Sequence, residues 1–423
     1  MKSIEAICVT SQFKKRQQLL INEETGLIED IGDLGIAREN LSYYFNDDCL
    51  LFAGMGDVHI HAREDLSQKN CYKETFHSAS EAAVNGGVIH MGDMPNNPIP
   101  PIDDKSYADK LRLTSSAINT CWIYAGIGPK TKPLTKKVPY KAYMGPSVGD
   151  LFFKDNEELE NALVHYKNQY VSFHCEDPEL LEKCKNESTH FSRRPVEAEV
   201  LATNEALKLI KEHHLVGKLC HFSSREGLDA IREFRKNGGI VQVEVTPQHL
   251  YFAQEDIEKL DVQLFQMNPP IRPCTDQEAM LAAFKNGEID FLATDHAPHT
   301  HEEKVKGTSG LTGLDTYGAF VCWLINEQNL KPEFMAKICS ENSGRFFNQF
   351  LESWSSMDSR FIEFGKGLGF LEKGYRADLT VLNLKKKWTV KTEDLKTKVK
   401  HSPFLGHEFS GSVERVMTKG KWI

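Results

Sequence analysis

Short apolar runs alternate with longer amphipathic stretches through most of the chain. Runs at 51–58, 87–91, 122–126, 140–144, 170–173, 218–220, 240–245 and 290–293 have the length and apolar continuity expected of buried strands. Stretches at 73–85, 194–213, 224–237 and 277–286 carry their apolar positions at helical spacing. Eight strands with intervening helices predict an α/β fold, a TIM-like (β/α)8 barrel over residues 51–359. The two ends read differently. Short alternating segments at 18–21 and 27–31, and again at 377–383, 388–390 and 412–417, are separated by turn residues. They predict one small β-sandwich domain assembled from residues 1–50 and 360–423.

Composition narrows the class without changing that picture. Hydrophobic residues make up 40% and charged residues 26%, globular values that support a substantial core. Lys and Arg number 51 against 60 Asp and Glu, so the net charge of −9 argues against a general nucleic-acid binder. The apolar run at 317–325 falls far short of the roughly 18–20 residues that span a bilayer, and no membrane association is expected. The first ten residues mix Lys2 and Glu5 with apolar positions and lack a signal-peptide core, so secretion is not expected either. The 10 cysteines form no CxxC pair and are widely spaced, which predicts reduced thiols and a cytoplasmic location. The lysine-rich stretch at 385–400 reads as solvated surface.

The chemistry begins at Gly54-Met-Gly-Asp-Val-His-Ile-His-Ala-Arg-Glu64. His59 and His61 end an apolar strand two residues apart, so both side chains face one way and can grip one metal ion. His174, His221 and Asp295 each follow a later predicted strand, and Lys141 lies within one. In a barrel the C-terminal ends of the strands open on a single face, where active sites are built. Any one of these residues has an ordinary alternative, such as a satisfied core histidine or a snorkelling lysine. Their joint occurrence at the ends of five strands points to a metal-dependent site.

The motifs Asp57-Val-His-Ile-His-Ala-Arg63, Asp93-Met-Pro-Asn96, Lys141, His174-Cys-Glu176, Cys220-His221, Glu244-Val-Thr-Pro-Gln-His249, Asn268-Pro-Pro270, Asp295-His-Ala-Pro-His-Thr300 and Gly374-Tyr-Arg-Ala-Asp-Leu379 resemble the dihydroorotase family of the amidohydrolase superfamily over nearly the whole chain. The resemblance implies two Zn2+ ions, one on His59, His61 and Asp295 and the other on His174 and His221, bridged by a carboxylated Lys141. It implies that Asp295 is the catalytic base and acid, and that Arg63, Asn96 and His299 bind a substrate carboxylate. Asn268 resembles a ring-contacting position, Gly313 a backbone contact, and Cys220 with Glu244 a third zinc site of some relatives. Ser147 resembles the hydroxyl of a loop that covers the substrate. The family's Pro-Gly after HxHxRE is replaced here by Asp65-Leu66, which alters the first loop but no ligand.

The activity so implied is reversible cyclisation of N-carbamoyl-L-aspartate to L-dihydroorotate, in a homodimer. One rival is an allantoinase or hydantoinase, whose substrates lack the carboxylate that Arg63 would pair with. The other is an inactive barrel serving as a scaffold for a pathway enzyme such as aspartate carbamoyltransferase. A dead relative would be expected to lose ligands, and here all six positions are filled.

Overall fold

The computed structural model describes residues 1–145 and 151–423. Its barrel strands are β1 (Met55–Ile60), β2 (Val88–Asp93), β3 (Thr120–Ile123, continued by Ala125–Ile127), β4 (Tyr140–Tyr143), β5 (Tyr170–His174), β6 (Val216–Leu219), β7 (Val241–Val245) and β8 (Phe291–Leu292). Each pairs in parallel with the next. Tyr124 interrupts β3, so its first half pairs with β2 and its second with β4. A parallel bridge between Ile60 and His296 closes the cylinder, with the His61 N–H donating to the His296 carbonyl at 2.8 Å. Every residue of β1 to β4 is buried. That is why these strands read as continuous apolar runs rather than alternating ones.

Helices α1 (Phe76–Asn85), α2 (Val196–Glu212), α3 (Arg225–Lys236) and α4 (Cys274–Lys285) fill the four predicted amphipathic stretches. Helix α1 starts later than its apolar pattern. Thr75 caps it by accepting from the Ser78 N–H at 3.2 Å, while the Ser78 hydroxyl accepts from the Thr75 N–H at 3.0 Å. Lys73 and Glu74 are thereby left on the preceding loop and turn into the interior. The apolar run near residue 320 becomes the buried helix Tyr317–Asn326, and among the described residues no helix is long and apolar enough to cross a membrane.

The chain ends meet in the small β domain. Its eight-stranded sheet runs Lys421–Trp422, Ser412–Thr418, Leu379–Asn383, Cys49–Ala53, Lys2–Val9, Lys14–Asn22 and Leu27–Gly32, with Tyr43–Tyr44 also paired to Lys2–Val9. Ile4, Leu19, Ile28, Leu51, Leu379 and Met417 form a core separate from that of the barrel. Trp388–Thr389 pairs with Glu408–Phe409 in a ribbon of its own. The apolar run at 51–58 is two strands, not one. Gly54 divides it: its N–H donates to the Asp378 carbonyl at 2.7 Å, and a Cβ there would lie 2.9 Å from the Asp378 Cβ. The chain leaves the terminal sheet at Ala53 and enters the barrel at Met55.

Candidate active site

The strand ends deliver their side chains to one cavity. His59 lies within β1 and His61 just after it, His174 closes β5, and His221 and Asp295 follow β6 and β8. All five line a pocket of about 320 Å³ together with Arg63, Asn96, Tyr143, Asn268 and His299. The Asp295 Oδ1 lies 3.0 Å from His61 Nε2 and 3.2 Å from His59 Nε2. Opposite them, His174 Nδ1 is 2.9 Å from His221 Nε2. The His59 and His221 rings, 5.3 Å apart, join the two groups. Lys141 is wholly buried beneath the pocket, and its Nζ has no hydrogen-bond partner among the described residues.

Burial sets the charge states. It pushes His59 down to about 4, against the pull of Glu244, and holds His61 and His221 well below the ordinary histidine range. These imidazoles are therefore neutral and offer lone pairs. Burial also raises the Asp295 carboxyl, although His59 and Lys141 pull it the other way. Backbone strain gathers here as well: Arg63, His221 and Asp295 have φ of 62°, 35° and 48°, in the left-handed region that ordinary side chains avoid.

The donor atoms of His59, His61 and Asp295 all lie within 4.8 Å of one another, close enough to share one ion. On His59, His61 and His174 the remaining ring nitrogen is occupied in the way metal-binding histidines require, whereas the His221 Nδ1 has no partner among the described residues. His59 Nδ1 meets Glu244 on β7, His61 Nδ1 meets the Asn96 Oδ1 at 2.7 Å, and His174 Nε2 meets Glu176 at 2.8 Å. Glu244 also accepts from the His221 N–H at 3.0 Å and pairs with the Lys218 ammonium. Burial would raise its pKa, but Lys218 and His59 hold it well below the carboxylate range. Glu176 is likewise lowered to about 2, since Arg194 and His174 outweigh its burial. Asp57 accepts from the Thr294 hydroxyl and from the His59 N–H, tying β1 to the end of β8. Three neutral imidazoles, the His174 ring and a carboxylate form a donor set that fits divalent transition metals, with the buried Lys141 beside them.

The cationic side of the pocket stands on loops. Arg63 is buried, with one terminal nitrogen 3.1 Å from His299 Nε2. Burial, Arg63 and Lys73 lower His299 to about 2, so Nε2 accepts from the guanidinium. Its Nδ1 lies 3.3 Å from Glu303, which is itself paired to Lys73 at 2.8 Å. Thr308, Ser309 and Gly310 complete the wall.

Some expected residues lie elsewhere. Gly313 does not line the pocket. Its N–H is spent on His296 Nδ1 at 3.2 Å, and a Cβ there would meet the Thr294 Cβ at 2.8 Å, so it is a packing glycine. Gly310, three residues earlier, does line it. Cys220 and Glu244 gather with His59 in a second group of potential ligands, outside the pocket lining. Ser147 lies outside the described residues. Two contributors, Tyr143 and Lys304, were not singled out by the sequence, and a third, Glu176, stood in a motif without a role. Tyr143 lines the pocket with its hydroxyl unpartnered among the described residues, and its spacing of two from Lys141 on β4 was the available signal. Glu176 stands two after His174. Lys304 carried no signal: its ammonium donates to the carbonyls of Gln266, Thr308 and Gly310 at 2.7, 3.0 and 2.8 Å and so fixes the loop wall.

The amidohydrolase family matches residues 50–423. The chain is 32% identical to a dihydroorotase of Pyrococcus horikoshii over 382 residues, covering 88% of this chain and 81% of the relative. It is 31% identical to a dihydroorotase of Thermococcus kodakarensis, covering 95% and 89%. In fold it is similar to an L-hydantoinase of Arthrobacter aurescens, with a TM-score of 0.83 at 20% identity over 100% of this chain and 95% of that one. The matched length, the barrel with its terminal β domain and the histidine–aspartate cavity agree: the chain belongs to the amidohydrolase family, among the cyclic-amide hydrolases that include dihydroorotase.

Proposed function

We propose that this protein is a cytoplasmic dihydroorotase, interconverting N-carbamoyl-L-aspartate and L-dihydroorotate for pyrimidine synthesis. The observation that carries the reading is the juxtaposition, in one pocket, of the His59–His61–Asp295 cluster with the buried Arg63 guanidinium beside His299. The first suits a hydrolytic metal site, and the second supplies the cation that a substrate carboxylate needs in a largely dehydrated cavity. Arg63, Asn96 and His299 would hold that carboxylate, and Asn268 would face the ring.

His59, His61 and Asp295 would hold one zinc, and His174 and His221 a second. Carboxylation of Lys141 would turn an unpartnered buried ammonium into an anion with an oxygen for each ion. Zinc bound there would polarise the ring amide carbonyl and make a water acidic enough to act near neutral pH. In hydrolysis, water adds to that carbonyl carbon and the bond to the ring nitrogen breaks. Asp295, whose carboxyl burial raises, takes the proton from the water and delivers it to the departing nitrogen. Ring closure is the reverse. Within this reading residues 51–359 carry the chemistry, residues 1–50 and 360–423 form the domain that braces the barrel, and the enzyme is a homodimer. Association with aspartate carbamoyltransferase is tested by co-sedimentation. The Cys220–Glu244 pair would be a third zinc site only by competing with Lys218, which already neutralises Glu244.

Purified protein assayed with dihydroorotate, allantoin and hydantoin, with metal analysis on the same sample, tests the assignment. Turnover of dihydroorotate with about two zinc ions per chain is expected. Turnover of a hydantoin or allantoin alone would favour the rival hydrolases, and absence of metal and activity together would favour the scaffold.

A further inference from the structure

A second polar cavity lies away from the active site. It has a volume of about 250 Å³, and its wall includes Thr120 at the start of β3, Thr418 at the end of a terminal-sheet strand, and three cations, Arg360, Arg376 and Lys419. It therefore sits where the N-terminal end of the barrel meets the β domain, on the opposite side from the metal-ligand cluster.

Arg376 is only 2% exposed. One terminal nitrogen donates to the Thr120 and Thr418 hydroxyls at 3.1 and 3.3 Å, and Nε faces Asp378 at 2.9 Å. The other terminal nitrogen, Nη1, has no acceptor among the described residues. The guanidinium is stacked 4.2 Å from the centre of the Phe364 ring, which fixes its plane. Buried N–H groups left unsatisfied are costly, and donors on a charged group most of all. Across the cavity Arg360 is neutralised by Asp358 at 2.6 Å and donates to the Thr114 hydroxyl at 3.1 Å. Lys419 is exposed at the cavity rim and, among the described residues, forms no ion pair; Asp378 and Glu363 act on its charge only at longer range. Asp358 is paired to Arg360 and Asp378 to Arg376, so among the described residues Lys419 is the lining cation with no carboxylate at ion-pair distance, and an unspent guanidinium nitrogen lies on the same wall.

We infer that this cavity is a binding site for a small phosphate-class oxyanion, held by the Arg376 Nη1, Arg360 and Lys419. The rigid planar guanidinium supplies directional donors, and the lysine supplies a charge that no ion pair already holds. The volume accommodates inorganic phosphate or a small phosphate monoester, so both are tested. The inference is independent of the activity proposed for the metal-ligand pocket.

The experiment is isothermal titration of the purified full-length protein with inorganic phosphate and, separately, glycerol 3-phosphate, at ionic strength matched with chloride. It is run on wild type, Lys419→Met, Arg360→Met and Arg63→Met. Binding by wild type and by Arg63→Met is expected, with affinity reduced roughly tenfold in Lys419→Met and Arg360→Met, each of which removes one charged partner. Both cavity variants should keep their turnover, because neither residue touches the metal-ligand pocket. Tighter binding of the monoester than of phosphate would identify an organic phosphate as the occupant, and the reverse the free ion. Three results overturn the inference: no heat beyond the chloride control, binding unchanged in both cavity variants, or binding lost in Arg63→Met, which would move the anion to the active site. Circular dichroism of each variant separates a lost site from a lost fold.

Discussion

The two halves of the active-site pocket are built differently. The histidine half stands on the barrel itself. His59 and His174 belong to strands, and His61, His221 and Asp295 follow strand ends within a few residues. Their rings are aimed by Glu244, Asn96 and Glu176. The cationic half stands on loops. Arg63, His299 and residues 308–310 lie outside regular strands, and Lys304 holds that wall through three backbone carbonyls. The first half has atomic positions fixed by the hydrogen-bond ladder, which suits chemistry that fails when a ligand moves by an ångström. The second has fewer constraints and suits recognition of a charged group. Damage to the histidine half should therefore appear in turnover, and damage to the cationic half in substrate affinity.

The largest effect is expected from Asp295→Ala, which removes a candidate ligand and the proton carrier together. A fall in kcat of about 10³-fold or more is expected, with reduced zinc content by elemental analysis. His61→Ala should resemble it. Next comes Arg63→Met, for which steady-state kinetics should give a KM raised by roughly 10–100-fold, the size of a lost charge-assisted hydrogen bond, with a much smaller change in kcat. A kcat defect as large as that of Asp295→Ala would erase the division between the halves. Lys304→Met strips three carbonyls of their donor without touching the pocket. A KM raised about 3–10-fold is expected, with zinc content unchanged, because the wall it braces carries no candidate ligand.

Much of the histidine half was legible because strand geometry is written into the sequence at short range. His59 and His61 reveal themselves by a spacing of two at the end of an apolar run. The cationic half was legible in its named residues only through motif resemblance, and its supports were not legible at all. Lys304 lies in a short helix, Glu303 reads as an ordinary N-terminal helix carboxylate, and Gln266 contributes only a carbonyl. Lys304 donates to backbone carbonyls, which leave no residue-type signature, and Glu303 meets Lys73 and Tyr72 across about 230 positions of sequence. Gly313 is the opposite case. Its motif was present, but the close packing of Thr294 demands glycine whether or not a substrate is nearby. At the first strand, continuous hydrophobicity concealed the break at Gly54, since the terminal sheet and the barrel bury consecutive residues alike.

The smallest effect tests the cationic half alone, through Glu303. This carboxylate accepts from Lys73 at 2.8 Å, from the Tyr72 hydroxyl at 2.7 Å and from the Thr300 N–H at 3.0 Å, and lies against His299. Burial opposes the charge, but Lys73 and Tyr72 outweigh it, and the pKa falls from 4.5 to about 2. A carboxylate lowered on folding stabilises the native state above its unfolded pKa, and that contribution is lost as pH falls through the folded value. Wild type should thus hold an advantage over Glu303→Gln that is complete above pH 4.5 and shrinks as the pH approaches 2. Urea midpoints taken from pH 6 down to pH 3 measure it. The gap between the two proteins should narrow steadily across the acidic end of that range, while zinc content at neutral pH stays equal. A gap independent of pH would mean that Glu303 contributes packing rather than charge. Lost zinc would mean that the two halves are mechanically one.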